Sequence, residues 1–262
     1  MKPEYKQFAE DFAGRAGAII RENFSLGMAK EWKADNTPVT ETDLKINSML
    51  IKEVNEKFPG HSVNGEEESD MNGGSEYVWV CDPVDGTIPF SHGIPICTFS
   101  LALVKSGESI LGVVYDPFQD RLYSAAKGDG AFLNGRRIYV SAKKDLKGAA
   151  ADCEILESSQ YDISDLVKYL RLKEGVIATA FCSIIYPSVL VAAGEFAFTI
   201  FPFKKPQDGA AVKIIVEEAG GKVTDLFGEE QRYDKEIKGF IASNGILHER
   251  LVELAKKFVI KR

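Results

Sequence analysis

The run Trp79-Val80-Cys81-Asp82-Pro83-Val84-Asp85-Gly86-Thr87 limits the folds and chemistries open to this chain more than any other stretch. Tyr77 to Cys81 is continuously apolar, as a buried strand is. Pro83 has no N–H and is expected to end the ladder there, after which Gly86 and Thr87 begin a turn. A strand end of this kind aims two carboxylates, one backbone carbonyl and one hydroxyl at a single point. Ligand sets made only of oxygen suit hard cations such as Mg²⁺. The competing reading is a strand-to-turn junction that favours Asp, Pro and Gly for conformation alone.

The length of 262 residues allows one large domain or two closely packed halves. Apolar residues make up 45% and charged residues 27%, the balance of an ordinary globular protein. A net charge of -7 argues against nucleic acid or an anionic membrane as partner. The four cysteines, Cys81, Cys97, Cys153 and Cys182, show no paired spacing, which suits reduced, mostly buried thiols of a cytoplasmic protein and no zinc site. The first residues are polar and lack the apolar core of a signal peptide. The longest apolar stretch, Phe181 to Ala193, is broken by Ser183, Pro187 and Ser188 and is too short for a membrane span.

Phe8, Phe12, Ala16, Ile19, Ile20 and Phe24 recur at helical spacing. A polar connector over Trp32–Pro38 leads to a second helix over Thr40–Phe58, which Pro59-Gly60 stops. A short strand is expected at Ser62–Asn64. Further strands are expected at Thr98–Val104, Ile110–Tyr115 and Arg121–Ala125, with a hairpin turn at Asn134-Gly135. After Ser141 the pattern alternates. Helices are predicted over Asp165–Leu172, Pro187–Ala193, Asp208–Ala219 and Leu247–Phe258, and strands over Val176–Ala180, Phe196–Phe201 and Gly239–Ala242. The chain thus divides near Ser141 into halves 1–140 and 141–262 that share a cleft.

Three further segments hold chemistry-bearing residues. In Gly65-Glu66-Glu67-Glu68, Glu66 follows a glycine at a strand end and can turn inward to share a metal with Asp82, whereas Glu67 and Glu68 read as a solvated face. Asp208 precedes Gly209-Ala210-Ala211; it reads as a helix N-cap, and small residues behind it let that helix end approach a metal cluster. Thr40 and Asp43 match a capping box. The functional alternative is that Asp43 accepts a proton from Thr87, which orients a water.

Glu66 in Gly-Glu-Glu, Asp82-Pro83-Val84-Asp85-Gly86-Thr87, and Asp208 followed by Glu217-Glu218-Ala219-Gly220-Gly221 together resemble the inositol monophosphatase family, within the lithium-sensitive, Mg²⁺-dependent sugar phosphatases. The resemblance covers nearly the whole chain. It implies an α+β (mixed α/β) fold, a layered αβαβα sandwich with its site between the halves, and a homodimer as the family habit. Glu66, Asp82 and the Val84 carbonyl would hold one Mg²⁺; Asp82, Asp85 and Asp208 a second; Glu66 would also help bind a weaker third. A water oriented by Thr87 and Asp43 would attack phosphorus, with Glu66, Thr87 and Asp43 as the catalytic group. Backbone N–H groups of Gly86 and Thr87 would hold phosphate oxygens at a helix start, where Pro89 fits the first turn. Ser183 and Asp208 would face the substrate. Lys33 takes the place of a basic residue on the family's metal-binding loop; a connector lysine is otherwise simply solvated.

The family pattern weakens where the substrate's alcohol would sit. Pro89 replaces an Asn, Gln207 a Trp, and Cys182-Ser183-Ile184-Ile185 a smaller Gly-Ser/Thr-Ala-Ala segment. Phe201 stands where an acid often contacts an inositol hydroxyl, and it cannot accept that bond. Lys204 and Lys205 are either a solvated pair or contacts for a second anionic group. The expected activity is a phosphomonoesterase, nominally on inositol 1-phosphate. Histidinol phosphate, fructose 1,6-bisphosphate and 3′-phosphoadenosine 5′-phosphate are the alternatives. From other classes, a non-catalytic metal and sugar-phosphate binder remains open, and a structural Ca²⁺ site fits poorly without an EF-hand-like loop.

Overall fold

The structure is a computed structural model and describes residues 2–33, 38–156 and 159–262. Of the connector expected over Trp32–Pro38, residues 34–37 lie outside the described residues. The chain opens with helix α1 (Pro3–Asn23), a small ribbon of β1 (Glu31–Trp32) and β2 (Pro38–Val39), and helix α2 (Glu41–Lys57). Strands β3 (Ser62–Gly65), β4 (Ser69–Asp70) and β5 (Tyr77–Asp85) lead into a short helix, α3 (Thr87–Ser91). An antiparallel run follows: β6 (Thr98–Lys105), β7 (Glu108–Asp116), β8 (Arg121–Ala126), β9 (Gly130–Leu133) and β10 (Arg136–Arg137). Next come β11 (Ala150–Cys153), β12 (Tyr161–Asp162), α4 (Ser164–Leu172), β13 (Ile177–Thr179), α5 (Ile185–Ala192) and β14 (Phe198–Phe201). A 3₁₀ turn at Pro206–Asp208 precedes α6 (Ala210–Glu218), β15 (Lys222–Thr224), β16 (Phe240–Ser243), α7 (His248–Phe258) and β17 (Ile260–Lys261).

Two large sheets result, ordered β10-β9-β8-β7-β6-β5-β3-β4 and β13-β11-β14-β16-β15, beside two-stranded ribbons β1-β2 and β12-β17. Alternate residues of the larger sheet feed two different cores. Trp79, Cys81, Leu101 and Val113 pack under Phe8 and Phe12 of α1 and Leu50 of α2. Val80, Ala102 and Val114 face the other way, onto Val189 of α5 and Ala211 and Ile215 of α6. Those two helices also meet the smaller sheet, through Phe201, Val223 and Ala242. Its outer face, with Ala151, Phe198 and Ile241, is covered by Leu166 of α4 and Leu251 of α7. Each large apolar side chain buried in these seams contributes about 1.5–3 kcal/mol. The layers run helix, sheet, helix, sheet, helix, as the family resemblance implied.

Small residues bring the middle layer close to the larger sheet. A Cβ on Gly112 of β7 would lie 2.5 Å from Ile214 Cγ2 and 2.9 Å from the Ala211 carbonyl of α6. Gly112 therefore sets how near α6, and the acid just before it, can come to β5.

Strand β5 does not stop at Cys81. Asp82 pairs with Ser100 and Asp85 with Thr98, so β5 carries one residue more than β6 across that interval. Residues three apart on a regular strand point to opposite faces; the extra residue of a β-bulge restores both carboxylates to one face. Pro83 sits in the bulge, where a missing N–H costs no ladder bond. Gly86 follows at φ +83°, and its Cβ position would meet the Ile96 carbonyl at 2.7 Å, so the turn into α3 requires glycine.

Candidate active site

A cavity of about 260 Å³ opens at the strand ends between the two sheets, just below the usual range for ligand sites. Glu66 reaches it from the end of β3, Asp82 and Asp85 from β5, Thr87 from the start of α3 and Asp208 from the turn before α6. Val84, Gly86 and Ser183 also line it.

Asp43 is fully buried at the start of α2, behind Thr87. Its Oδ2 accepts the Thr40 N–H at 2.9 Å, one half of a capping box whose other half is the Asp43 N–H on the Thr40 side chain, and it also accepts the Thr40 hydroxyl at 2.5 Å. Its Oδ1 lies 3.4 Å from the Thr87 hydroxyl, while that hydroxyl donates to the Val84 carbonyl at 2.8 Å. The capping and the functional readings of Asp43 thus use different oxygens. Burial pushes the Asp43 carboxyl up to about 7, against the opposing pull of the Thr40 bonds.

Two lysines converge on Glu66. Lys33 and Lys205 place their ammonium groups 3.1 Å and 3.0 Å from the same oxygen, Oε1. Burial alone would raise the Glu66 carboxyl, but Lys205 and Lys33 outweigh it and hold the group below the usual carboxylate range. Lys33 also pairs with Glu67, whose side chain is only 8% exposed. The solvated face expected of Glu67 is therefore corrected: the Gly65 strand end folds Glu67 inward with Glu66, and only Glu68 stays exposed. Lys33 is likewise held rather than simply solvated. The adjacent Lys204 points elsewhere, 3.0 Å from Glu236 at the surface, so the two lysines do not act as a pair.

Asp208 is not an N-cap. Gly209 takes that position, and Asp208 closes the preceding 3₁₀ turn, because Pro206 starts that turn two residues earlier. The Asp208 carboxylate is 7% exposed and accepts no hydrogen bond among the described residues. Burial, then Glu66 and Asp85, push its carboxyl well above the ordinary range, with Lys205 opposing. Asp82 is similar: buried, it accepts only the Val84 N–H, at 3.0 Å, among the described residues. Burial followed by Glu66, Asp85 and Asp208 raises it strongly. An uncompensated buried carboxylate costs several kcal/mol, and two facing one cavity demand positive charge. Oxygen donors under such strain fit a hard divalent cation. Among the described residues no three acidic, His or Cys side chains are yet drawn into a single coordination sphere.

Asp85 differs from its neighbours. It accepts the Ser183 hydroxyl at 2.5 Å, the Ile184, Ile185 and Tyr186 N–H groups at 2.8, 3.2 and 3.1 Å, and the Thr98 hydroxyl at 3.1 Å. It thereby satisfies the orphan donors at the start of α5. Ser183, read from sequence as a substrate contact, donates its hydroxyl hydrogen bond to Asp85. Gln207 ties the Asp208 turn to β3, donating to Asn64 Oδ1 at 2.8 Å and to the Gly65 carbonyl at 3.0 Å. It positions Asp208 against Glu66, a role that replaces whatever a Trp would do there. Phe201 is buried against Phe240 and does not line the cavity. Pro89 lies in the first turn of α3, where its missing N–H is harmless.

One cavity acid was not singled out from sequence. Glu154 follows β11, is 4% exposed, and accepts the Cys182 N–H at 2.5 Å. Burial, then nearby Asp152, pushes its carboxyl up to about 7. The only sequence signal was an acid at the end of a short strand, and β11 itself was not predicted. Cys182 holds φ +54°, a left-handed turn that aims its N–H at Glu154. Cys81, Cys97 and Cys153 are buried thiols, Cys182 is exposed, and among the described residues none forms a disulfide.

Alternating layers with an acid-lined cleft at the strand ends are the framework of the metal-dependent sugar phosphatases. Such enzymes are phosphoric monoester hydrolases. The chain belongs to the inositol monophosphatase family, whose model matches residues 1–259, and this family depends on Mg²⁺. A fructose-1,6-bisphosphatase/inositol-1-monophosphatase of Aquifex aeolicus is 36% identical, over 98% of this chain and 97% of its own length. A histidinol-phosphatase of Chlorobaculum parvum is 32% identical over 94% of each. The solved inositol monophosphatase of Thermotoga maritima superposes with a TM-score of 0.86 at 31% identity, covering 97% of this chain and 98% of that one. No helix among the described residues is long and apolar enough to cross a membrane.

Proposed function

We propose that this cleft hydrolyses a small sugar or polyol monophosphate, nominally inositol 1-phosphate, with two or three Mg²⁺ ions. Glu66, Asp82, Asp85, Asp208 and the Val84 carbonyl would hold those ions. The observation that carries the reading is the Asp208 carboxylate, nearly buried in the cavity with no hydrogen-bond donor among the described residues. When bound, the ions supply charge neutralisation and a more acidic water. The chain's own residues do the rest. Thr87 presents a hydroxyl that orients the attacking water, and Asp43 behind it, its carboxyl raised to about 7, can take up a proton near neutral pH, where general-base catalysis is most effective. The N–H groups of Gly86 and Thr87 anchor phosphate oxygens at the start of α3. Lys33 and Lys205 on Glu66 mark where positive charge is required across the cleft between halves 1–140 and 141–262.

Relatives with names for three substrates share the fold, so the reaction transfers more firmly than the alcohol released. Phosphate release is to be measured over inositol 1-phosphate, histidinol phosphate, fructose 1,6-bisphosphate and 3′-phosphoadenosine 5′-phosphate, with Mg²⁺ and with EDTA. The expected result is turnover that EDTA abolishes and that Asp82→Asn lowers by at least about a hundred-fold. Tight binding of these esters without turnover would refute the reading in favour of a non-catalytic binder.

A further inference from the structure

The cavity carries one acid beyond the proposed metal-binding set. Glu154 sits at the carboxyl end of β11, beside β14 in the smaller sheet, where ligands of open α/β sheets collect. It is 4% exposed and lines the cavity. A carboxylate has about four acceptor sites. Glu154 receives the Cys182 N–H at 2.5 Å and a weaker contribution from the Ser183 N–H. No lysine or arginine pairs with it among the described residues, although Lys205 lines the same cavity. The cavity lining from the same half includes apolar Leu156, Ile184 and Phe203 and polar Ser159 and Gln160. Phe201, one layer deeper, offers no acceptor.

We propose that Glu154 is the specificity-determining residue for the leaving alcohol, accepting a hydrogen bond from a hydroxyl or ammonium group on the substrate's carbon skeleton. The inference rests on the phosphatase reading above and names the chemistry that its substrate must present. Cys182 is part of the device. Its left-handed backbone fixes one Glu154 oxygen and leaves the remaining acceptor capacity to the cavity. Glu154 comes from the end of β11, not from the segments that carry Glu66, Asp82, Asp85 and Asp208, and its contribution is to recognition of the alcohol.

The test compares wild type, Glu154→Leu and Glu154→Gln on three esters with Mg²⁺. These are inositol 1-phosphate, which offers hydroxyls; histidinol phosphate, which offers an ammonium; and p-nitrophenyl phosphate, which offers neither. For Glu154→Leu, kcat/KM for the preferred donor-bearing ester, relative to that for p-nitrophenyl phosphate, is expected to fall about 10- to 100-fold. The Gln variant keeps the volume and the acceptor for Cys182, so it stays informative where Leu fails to fold. It is expected to preserve preference for a hydroxyl and to lose preference for an ammonium, which identifies the donor. Ratios unchanged in both variants while wild type turns over all three esters would overturn this inference alone. A wild type inert toward p-nitrophenyl phosphate as well would overturn the phosphatase reading and this inference with it.

Discussion

Asp208→Asn is expected to stabilise the metal-free protein while abolishing its chemistry. In the wild type the carboxylate is 7% exposed, has no hydrogen-bond donor among the described residues, and faces the negative charge of Glu66 and Asp85. Without metal it either stays charged at a desolvation cost or takes up a proton at a smaller one. An amide of the same shape avoids both, so the gain in EDTA is about 1–3 kcal/mol. At roughly 2–4 °C per kcal/mol for a chain of this size, melting rises by several degrees. Adding Mg²⁺ at about 100 times its Kd should stabilise the wild type by about 2.7 kcal/mol, and the variant by much less. The assay is thermal or urea unfolding of both proteins, in EDTA and in Mg²⁺, alongside phosphate release. A variant that is less stable in EDTA, yet keeps the full Mg²⁺ shift, would refute the reasoning and make Asp208 a structural residue.

Further outcomes follow from other contacts. Lys205→Met removes one of two ammonium groups on Glu66; the metal-free protein should lose about 1–2 kcal/mol, while calorimetry shows tighter Mg²⁺ binding because a competing cation is gone. Unchanged Mg²⁺ affinity would count against competition at that carboxylate. Gly112→Ala forces Ile214 and Ala211 away from β7 and should cost about 1–3 kcal/mol by urea unfolding, with a lower kcat because Asp208 moves with α6. His248 is buried between the Thr224 and Ser243 hydroxyls, 2.9 Å from each, and burial lowers its pKa from 6.5 to about 4. The unfolded chain therefore binds the extra proton first, and stability drops as pH falls from 6.5 toward 4, by about 3 kcal/mol in total. His248→Gln should flatten that slope in urea titrations at several pH values; parallel slopes for the two proteins would contradict it.

The elements that sequence located best are those with strong periodicity. The α1 stripe through Phe8, Phe12, Ala16 and Ile20 is buried as the spacing required, and the Asn134-Gly135 turn has both residues at positive φ, joining β9 to β10. Strands β11 and β15 escaped notice. Ala150-Ala151-Asp152-Cys153 carries small residues and a buried acid in place of an apolar alternation, and Lys222–Thr224 is only three residues long. Missing β11 is what hid Glu154. The end of β5 was misjudged because local chemistry at Pro83 says stop, whereas the pairing of Asp85 with Thr98 says continue; only the partner strand decides that contest. For the same reason Glu67 read as solvated until Lys33 was seen to fold over it. Acids that face one another from β3, β5 and the turn before α6 were legible as residue types. The donors that hold Asp85, and their lack at Asp208, depend on distant backbone that no local pattern encodes.

The bulge in β5 makes chain length a functional variable. Deleting one residue between Asp82 and Asp85 would leave the two acids as alternate residues of a regular strand, still on one face. It would also close the ladder over the gap, drawing the Val84 carbonyl that accepts the Thr87 hydroxyl into ordinary pairing with β6. The irregularity is thus what spares a main-chain oxygen for the cleft, and a single-codon loss there would remove it without replacing any acid.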